Sequence, residues 1–165
     1  MSAALKGGDR ASRVNKEWVA VVVLASMLLA DGIRAEIHND VEQWYRTSYA
    51  VLWSESPADH IDAILRHYAP HIMTHTATGE VRTDARDGWL RAPMAEWVAD
   101  GWQSAELIRL DTTIINDSTA TFMARWRDVY VDGMTEESCG WYLADRFDEQ
   151  WMITAYADSV CDDAS

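Results

Sequence analysis

The 165-residue chain lacks the motifs on which nucleotide binding and covalent catalysis usually depend. Its eight glycines are scattered, and none belongs to a dinucleotide fingerprint or a phosphate-binding loop. It has no Gly-x-Ser-x-Gly elbow and no paired catalytic cysteine. These absences argue against nucleotide-dependent enzymes and against hydrolases with a serine or cysteine nucleophile, and they predict no cofactor.

Basic residues are also scarce once the first 35 positions are set aside. The chain has 14 basic and 27 acidic residues, for a net charge of −13. Five of the basic and three of the acidic residues lie in residues 1–35, which leaves nine and 24, or −15, for the remainder. Such a polyanion repels phosphate backbones, so no nucleic-acid partner is expected.

The hydrophobic runs are shorter than is typical of a permanent membrane anchor. The longest, Trp18 to Ala30, has 13 apolar or small residues, against the roughly 20 that a spanning helix needs. It follows a basic region and precedes a plausible cleavage site before Glu36, so residues 1–35 are predicted to be a signal peptide. We therefore expect an exported protein, periplasmic or secreted, with no membrane association after cleavage. The alternatives are an anchor that is not cleaved, or a true start at Met27 and a cytoplasmic protein.

Only two cysteines are present, Cys139 and Cys161. Cys139 falls in the third of the long strands predicted below, and Cys161 directly follows the fourth. These two strands form a hairpin about Glu149, which places Cys161 opposite position 137 and diagonally near Cys139. An oxidising compartment would join them in a structural disulfide. Two buried free thiols are the alternative.

Hydrophobic periodicity predicts a helical first half and a β-sheet second half. One helix runs from Asn39 or Asp40 to about Leu52, and a second begins at Ser56-Pro57 and ends at Pro70. A third covers about 84–100, with Pro93 expected to kink or split it. Strands are predicted at about 104–115, 119–131, 134–147 and 151–160, with a two-residue hairpin loop at Asp132-Gly133. Residues 36–165 are predicted to form one domain.

The stretch HIMTH raises the question of a metal site, because His71 and His75 would share one face of a helix. It follows Pro70 and precedes a turn-like ATGE run, so it is predicted to be a strand of a short hairpin ending near Val81. The two histidines would then lie ~13 Å apart. One ion cannot bridge that distance, and no metal is predicted.

The aromatic composition is unusual, with nine tryptophans and six tyrosines but only two phenylalanines. Tryptophan and tyrosine carry polar groups that need a hydrogen-bond partner when they are buried. They are consistent with a filled core or with an aromatic-lined ligand pocket.

The order of elements, with the stretches YAVLWSESPADHIDAILRHYAPHIMTHT and GWYLADRFDEQWMITAY, resembles the nuclear-transport-factor-2-like superfamily over about residues 36–160. That superfamily includes SnoaL-type polyketide cyclases, ketosteroid isomerases and scytalone dehydratase. The resemblance implies an α+β fold in which a curved antiparallel sheet wraps three helices into a cone, often with a small-molecule pocket at its open end. The candidate ligand-binding residues are Trp53, Tyr68, Trp89, Trp97, Trp126 and Asp128.

Comparison with ketosteroid isomerases suggests candidate catalytic residues. Tyr49 matches their oxyanion tyrosine and Asp145 their protonated aspartic acid, whereas Thr76 stands where their carboxylate base lies. An aspartic acid among apolar groups has a raised pKa and donates a hydrogen bond. His75 or His71 is then the candidate base.

The resemblance implies three candidate functions, since this fold hosts enzymes, binding modules and docking domains alike. The first is an exported domain that binds a small apolar or carbonyl-containing molecule. The second is an acid–base isomerase, cyclase or dehydratase using Tyr49, Asp145 and a histidine. The third is a non-catalytic homodimeric interaction module. A flat apolar sheet face over a filled cone would favour the third, and a deep cavity with polar groups the other two.

Overall fold

The computed structural model describes Gly32, residues 34–76 and residues 78–161. The chain divides into two compact units, Met1–Glu36 and Ile37–Ser165. The predicted signal peptide, residues 1–35, lies almost entirely outside the described residues. None of the helices in the described ranges is long and apolar enough to cross a bilayer. The helices and strands described below belong to the second unit.

The first helix of this domain, α1, combines three segments. Residues 37–44 are α-helical, Tyr45–Tyr49 form a π-helical turn, and Val51–Ser54 are α-helical again. The π turn adds a residue to one turn of the helix, so that Trp53 is buried while Leu52 is only half-buried. Asp40 lies inside the helix and not at its start. Its carboxylate accepts a hydrogen bond of 3.0 Å from the Trp151 indole.

The second predicted helix is shorter than expected. Residues 57–60 form turns, and α2 spans only Ile61–Leu65. Tyr68 and Pro70, predicted to complete and end the helix, belong to the following strand. Pro70 has no N–H to donate, and it falls between Tyr68 and Met73, where strand pairing is irregular.

Strand β1 (Tyr68–His75) and strand β2 (Val81–Ala85) form the predicted hairpin, with His75 opposite Val81 and His71 opposite Ala85. HIMTH is therefore a strand, as expected. Within the described ranges, no group of three or more His, Cys, Asp or Glu side chains is arranged to hold a metal ion.

Helix α3 (Arg86–Ala99) is continuous through Pro93. Gly101, at a φ of +92°, ends it with a hydrogen bond from its N–H to the Val98 carbonyl, the left-handed conformation that glycine adopts most readily. Four long strands follow within two residues of their predicted bounds: β3 (Trp102–Asn116), β4 (Thr119–Tyr130), β5 (Thr135–Phe147) and β6 (Gln150–Ser159).

The six strands form one sheet in the order β2-β1-β6-β5-β4-β3. Neighbouring strands are antiparallel except for β1 and β6, which are parallel. The fold is thus the α+β architecture expected, a six-stranded curved open sheet with few helices, although the sheet is mixed and not purely antiparallel.

The β4–β5 connection has three residues, not the predicted two. The Tyr130 N–H bonds the Met134 carbonyl at 3.0 Å, which leaves Val131, Asp132 and Gly133 in the loop. Gly133 has a φ of +84°, the left-handed position that such a loop requires. Phe122 consequently lies opposite Tyr142.

The core is built mainly of aromatic side chains. Tyr45, Tyr49, Tyr68 and Phe122 are at most 1% exposed. Burial raises the pKa of the first three well above the usual tyrosine value, and burial also raises the pKa of Tyr142 to about 12. These phenols are therefore neutral at physiological pH.

The two cysteines form a disulfide at the open end of the β5–β6 hairpin. Cys139 lies opposite Ser159 and is bonded to Cys161, with 5.2 Å between their Cα atoms. This is the diagonal pairing that the hairpin geometry predicts, and it ties the end of the chain's last strand to its neighbour.

Replacing both cysteines by serine should lower the free energy of unfolding by about 3 kcal/mol, because the bond closes a loop with a sequence separation of 22. Urea unfolding with and without reductant measures the effect. The double variant should not respond to reductant. Equal midpoints for oxidised and reduced wild type would contradict the prediction.

Stability should be independent of the tyrosines below about pH 10 and should fall above it. The folded state raises the pKa of the buried tyrosines, so it favours their protonated form. That contribution is present below the unfolded-state pKa and is lost as pH rises towards the folded-state value. Urea midpoints and tyrosinate absorbance, followed together, test this. Tyrosinate formation at these positions in a fully folded protein would refute it.

Candidate functional site

A cavity of about 470 Å³ lies between α3, the end of α1 and the sheet. We call it the main cavity. Its inner wall contains buried side chains, among them Trp126 and Tyr142, whereas Trp97 at 42% exposure belongs to its mouth. Nine aromatic side chains line it: Trp53, Trp89, Trp97, Trp102, Trp126, Tyr68, Tyr130, Tyr142 and Tyr156.

The structure brings together all six residues predicted from the sequence to bind a ligand. α1 contributes one, β1 one, α3 two and β4 two, and each lines the main cavity: Trp53, Tyr68, Trp89, Trp97, Trp126 and Asp128. Elements distant in sequence converge here because the sheet curves around the helices.

A glycine makes room for two of the wall tyrosines. Tyr142 and Tyr156 are paired across β5 and β6, with ring centroids 5.1 Å apart. A Cβ atom on Gly140 would lie 2.9 Å from a ring carbon of each. The absent side chain at Gly140 therefore allows both rings to lie against the backbone of β5 and line the cavity.

The charged groups of the main cavity are all carboxylates. Asp128 is half-buried and accepts a hydrogen bond of 2.9 Å from the Trp102 indole. Asp158 accepts one of 2.7 Å from the Tyr156 hydroxyl, and both Asp158 and Asp100 are exposed. No Lys, Arg or His lines the cavity in the part of the chain that the structure describes.

Two indoles of the inner wall are not fully satisfied. The N–H groups of Trp53 and Trp126 are buried and have no hydrogen-bond partner among the described residues. An unpaired buried donor costs about 1–3 kcal/mol. Unpaired buried donors are uncommon in folded proteins and call for an explanation, and their position in a functional cavity is one such explanation.

A smaller cavity of about 250 Å³, the side cavity, adjoins the main one. His75 lines it with Thr74, Arg82 and Asp84, and the Thr74 hydroxyl donates to the Asp84 carboxylate at 3.3 Å. The two cavities share the residues Trp89, Pro93, Tyr156 and Asp158. His75 is thus near the main cavity but does not line it.

Asp145 is predicted from the sequence to lie among the apolar groups of the core, but its side chain does not face the core. Its neighbours along β5, Tyr142 and Ala144, are buried on the core side, so the side chain of Asp145 points to the other face of the sheet. There its carboxylate accepts hydrogen bonds from Thr119 at 2.8 Å and Thr154 at 2.7 Å. Asp145 therefore does not line the main cavity, where the predicted oxyanion role would require it.

The remaining catalytic candidates are also dispersed. Tyr49 is fully buried, and its hydroxyl is hydrogen-bonded to that of Tyr68, which does line the main cavity. His71 is exposed on β1. The predicted constellation of Tyr49, Asp145 and a histidine is not assembled at one point.

Several lining residues were not predicted from the sequence: Trp102, Tyr130, Tyr142, Tyr156, Asp100 and Asp158. Strand pairing would have identified two of them. Once Phe122 is placed inside, its partner Tyr142 and the next partner, Tyr156, must share its face.

No protein-family model matches the chain, and no curated protein matches it. Solved structures do. An NTF2-like protein of unknown function from Shewanella oneidensis has a TM-score of 0.58 and 19% identity, covering 74% of this chain and 98% of its own. An NTF2-like protein with a cystatin-like fold from Novosphingobium aromaticivorans has a TM-score of 0.53 and 17% identity, covering 86% and 90%.

A third similar structure is an uncharacterised protein with a cystatin-like fold from Caulobacter vibrioides. It has a TM-score of 0.55 and 13% identity, covering 76% of this chain and 91% of its own. Identities this low carry information on the fold but not on the activity. The mixed sheet curved around three helices and these likenesses together identify the chain as a protein of the nuclear-transport-factor-2-like, cystatin-like fold.

Proposed function

We propose that this domain binds small, largely apolar molecules in the main cavity. The observation that carries the proposal is the cavity itself. Its volume of about 470 Å³ lies within the range of roughly 300–1,000 Å³ typical of small-molecule sites, which are lined mainly by aromatic and apolar groups with a few polar ones.

The chemistry of the wall supports the same proposal. Burial raises the pKa values of Tyr68, Tyr142 and Tyr156, so their rings remain uncharged at physiological pH. Rigid indole and phenol rings bury a large area with little loss of side-chain freedom. An apolar ligand in contact with these rings would gain that burial at low cost.

The acid–base enzyme is a weaker alternative. It needs an acid and a base within hydrogen-bond reach of one substrate atom. Asp145 lies on the opposite face of the sheet from Tyr142, and the Tyr49 hydroxyl is already bonded to Tyr68. Neither the predicted carbonyl-polarising pair, Tyr49 and Asp145, nor a predicted histidine base lines the main cavity.

The homodimeric interaction module is not favoured by a specific observation. That alternative anticipated a filled cone, and the cone instead contains the main cavity.

We further propose that the domain acts after export. The basic and apolar pattern of residues 1–35 and the disulfide between Cys139 and Cys161 support this, since such bonds persist in oxidising compartments.

Filling the mouth of the cavity should abolish ligand binding without unfolding the protein. Ser138 lines the cavity, is exposed, and lies opposite Trp126 on the neighbouring strand. A Ser138→Trp substitution would introduce a bulky ring compatible with a strand. We expect it to weaken binding of Nile red, an uncharged apolar dye, at least tenfold in a fluorescence titration.

Thr113→Trp is the matched control, because Thr113 is exposed on β3 and does not line the cavity. It should bind the dye as wild type does, and both variants should keep the wild-type urea midpoint. Absence of saturable dye binding to wild type, or full binding to a folded Ser138→Trp variant, would overturn the proposed function.

A further inference from the structure

We propose that the main cavity selects organic cations, namely ligands with an alkylated ammonium group on a small, largely apolar body. This inference rests on the proposed function and adds the charge of the ligand. Two independent features of the cavity carry it: the faces of its aromatic rings and the sign of its charged groups.

Aromatic rings present a negative face, and tryptophan attracts cations most strongly. Five of the nine aromatic residues that line the cavity are tryptophans. Several pack edge to face, such as Trp53 with Trp102 at 6.3 Å and Trp97 with Trp102 at 5.8 Å between ring centroids. Because these rings stand at large angles to one another, their faces point in different directions, as do those of the aromatic cages that bind alkylated ammonium groups.

The charges of the cavity have a single sign. Asp128 is half-buried beside the Trp102 indole, and Asp100 and Asp158 lie exposed along the wall. In the described part of the chain, no Lys, Arg or His lies within ion-pair distance of these three carboxylates. Their field therefore acts on whatever enters the cavity.

The placement of arginine strengthens this argument. All nine basic residues of the domain are arginines. Eight of them pair with carboxylates elsewhere, as in Arg125 with Glu137 and Arg127 with Glu106. The wall tyrosines are neutral because burial raises their pKa values. A carboxylate ligand would meet repulsion without a compensating cation, whereas an ammonium ligand would meet both ring faces and carboxylates.

Three soluble probes of nearly equal shape test the charge preference. Choline carries a trimethylammonium group, 3,3-dimethylbutan-1-ol replaces its nitrogen by carbon, and 3,3-dimethylbutanoate bears a negative charge. Binding is followed by NMR titration of the tryptophan indole N–H signals. We expect choline to bind at least tenfold more tightly than the alcohol, and the anion to be the weakest of the three.

Asp128→Asn and Asp158→Asn separate the contribution of charge from that of shape. The amide at position 128 retains an acceptor for the Trp102 indole. Each substitution should weaken choline binding severalfold and leave the alcohol unaffected. Asp145→Asn is the matched control, because it removes one half-buried, hydrogen-bonded carboxylate on the opposite face of the sheet. It should leave choline binding unchanged.

The outcomes distinguish this inference from the proposed function. If Nile red binds but choline shows no advantage over the alcohol, the cavity is a neutral site and the charge inference is wrong. Preferential binding of the anion would overturn it as well, and so would equal loss of choline binding in Asp145→Asn. Failure of all four probes would instead remove the proposed function on which it rests.

Discussion

The pairing of β4 with β5 determines which side chains meet inside this domain. With three residues in the connecting loop, Phe122 lies opposite Tyr142. A two-residue loop at Asp132-Gly133 would shift the register by one, and a shift of one residue exchanges the two faces of a strand. Leu143 and Asp145 would then point inward. The three-residue loop, in which Gly133 has a φ of +84°, therefore determines which side chains of β5 line the cavity.

The same register keeps the main cavity open. Tyr142 turns inward and Tyr156 lies beside it, and both occupy the space left by the missing side chain of Gly140. Large rigid rings that rest against a strand cannot also fill the middle of the cone. A buried tyrosine hydroxyl favours a hydrogen-bond partner, and Tyr49 and Tyr68 provide one for each other inside the core. The aromatic composition thus provides both the packing and the empty volume.

Much of this fold was predictable, because strong local patterns agree with it. The α3 bounds and the four long strands follow from periodicity, and the pairing of Cys139 with Cys161 follows from the hairpin. Helix α2 was overestimated, because Tyr68 fits a helical stripe equally well but is used by β1. Hydrophobic periodicity alone cannot show whether an apolar residue at the boundary ends a helix or begins the next strand.

The site was only partly predictable, for a different reason. The large aromatic residues assigned to the pocket line it, since few other places in a domain of this size accept so many indoles. Asp145 was misplaced because both faces of β5 are apolar: Trp141 and Leu143 alternate with Tyr142 and Ala144. Only the loop length separates the two possibilities, and a turn signal such as Asp132-Gly133 is compatible with both.

Stability and solubility alone do not explain where the charged side chains of this domain lie. Solubility accounts for an excess of exposed acidic residues, and paired arginines along the strands moderate their mutual repulsion. Solubility does not account for Asp128. This half-buried carboxylate accepts a hydrogen bond from an indole and has no cationic neighbour among the described residues. Withdrawing a carboxylate partly from water without a cationic neighbour is unfavourable. If stability were the only constraint, an asparagine would satisfy the Trp102 indole without that cost. The cation proposed above as the ligand of the main cavity would offset that cost.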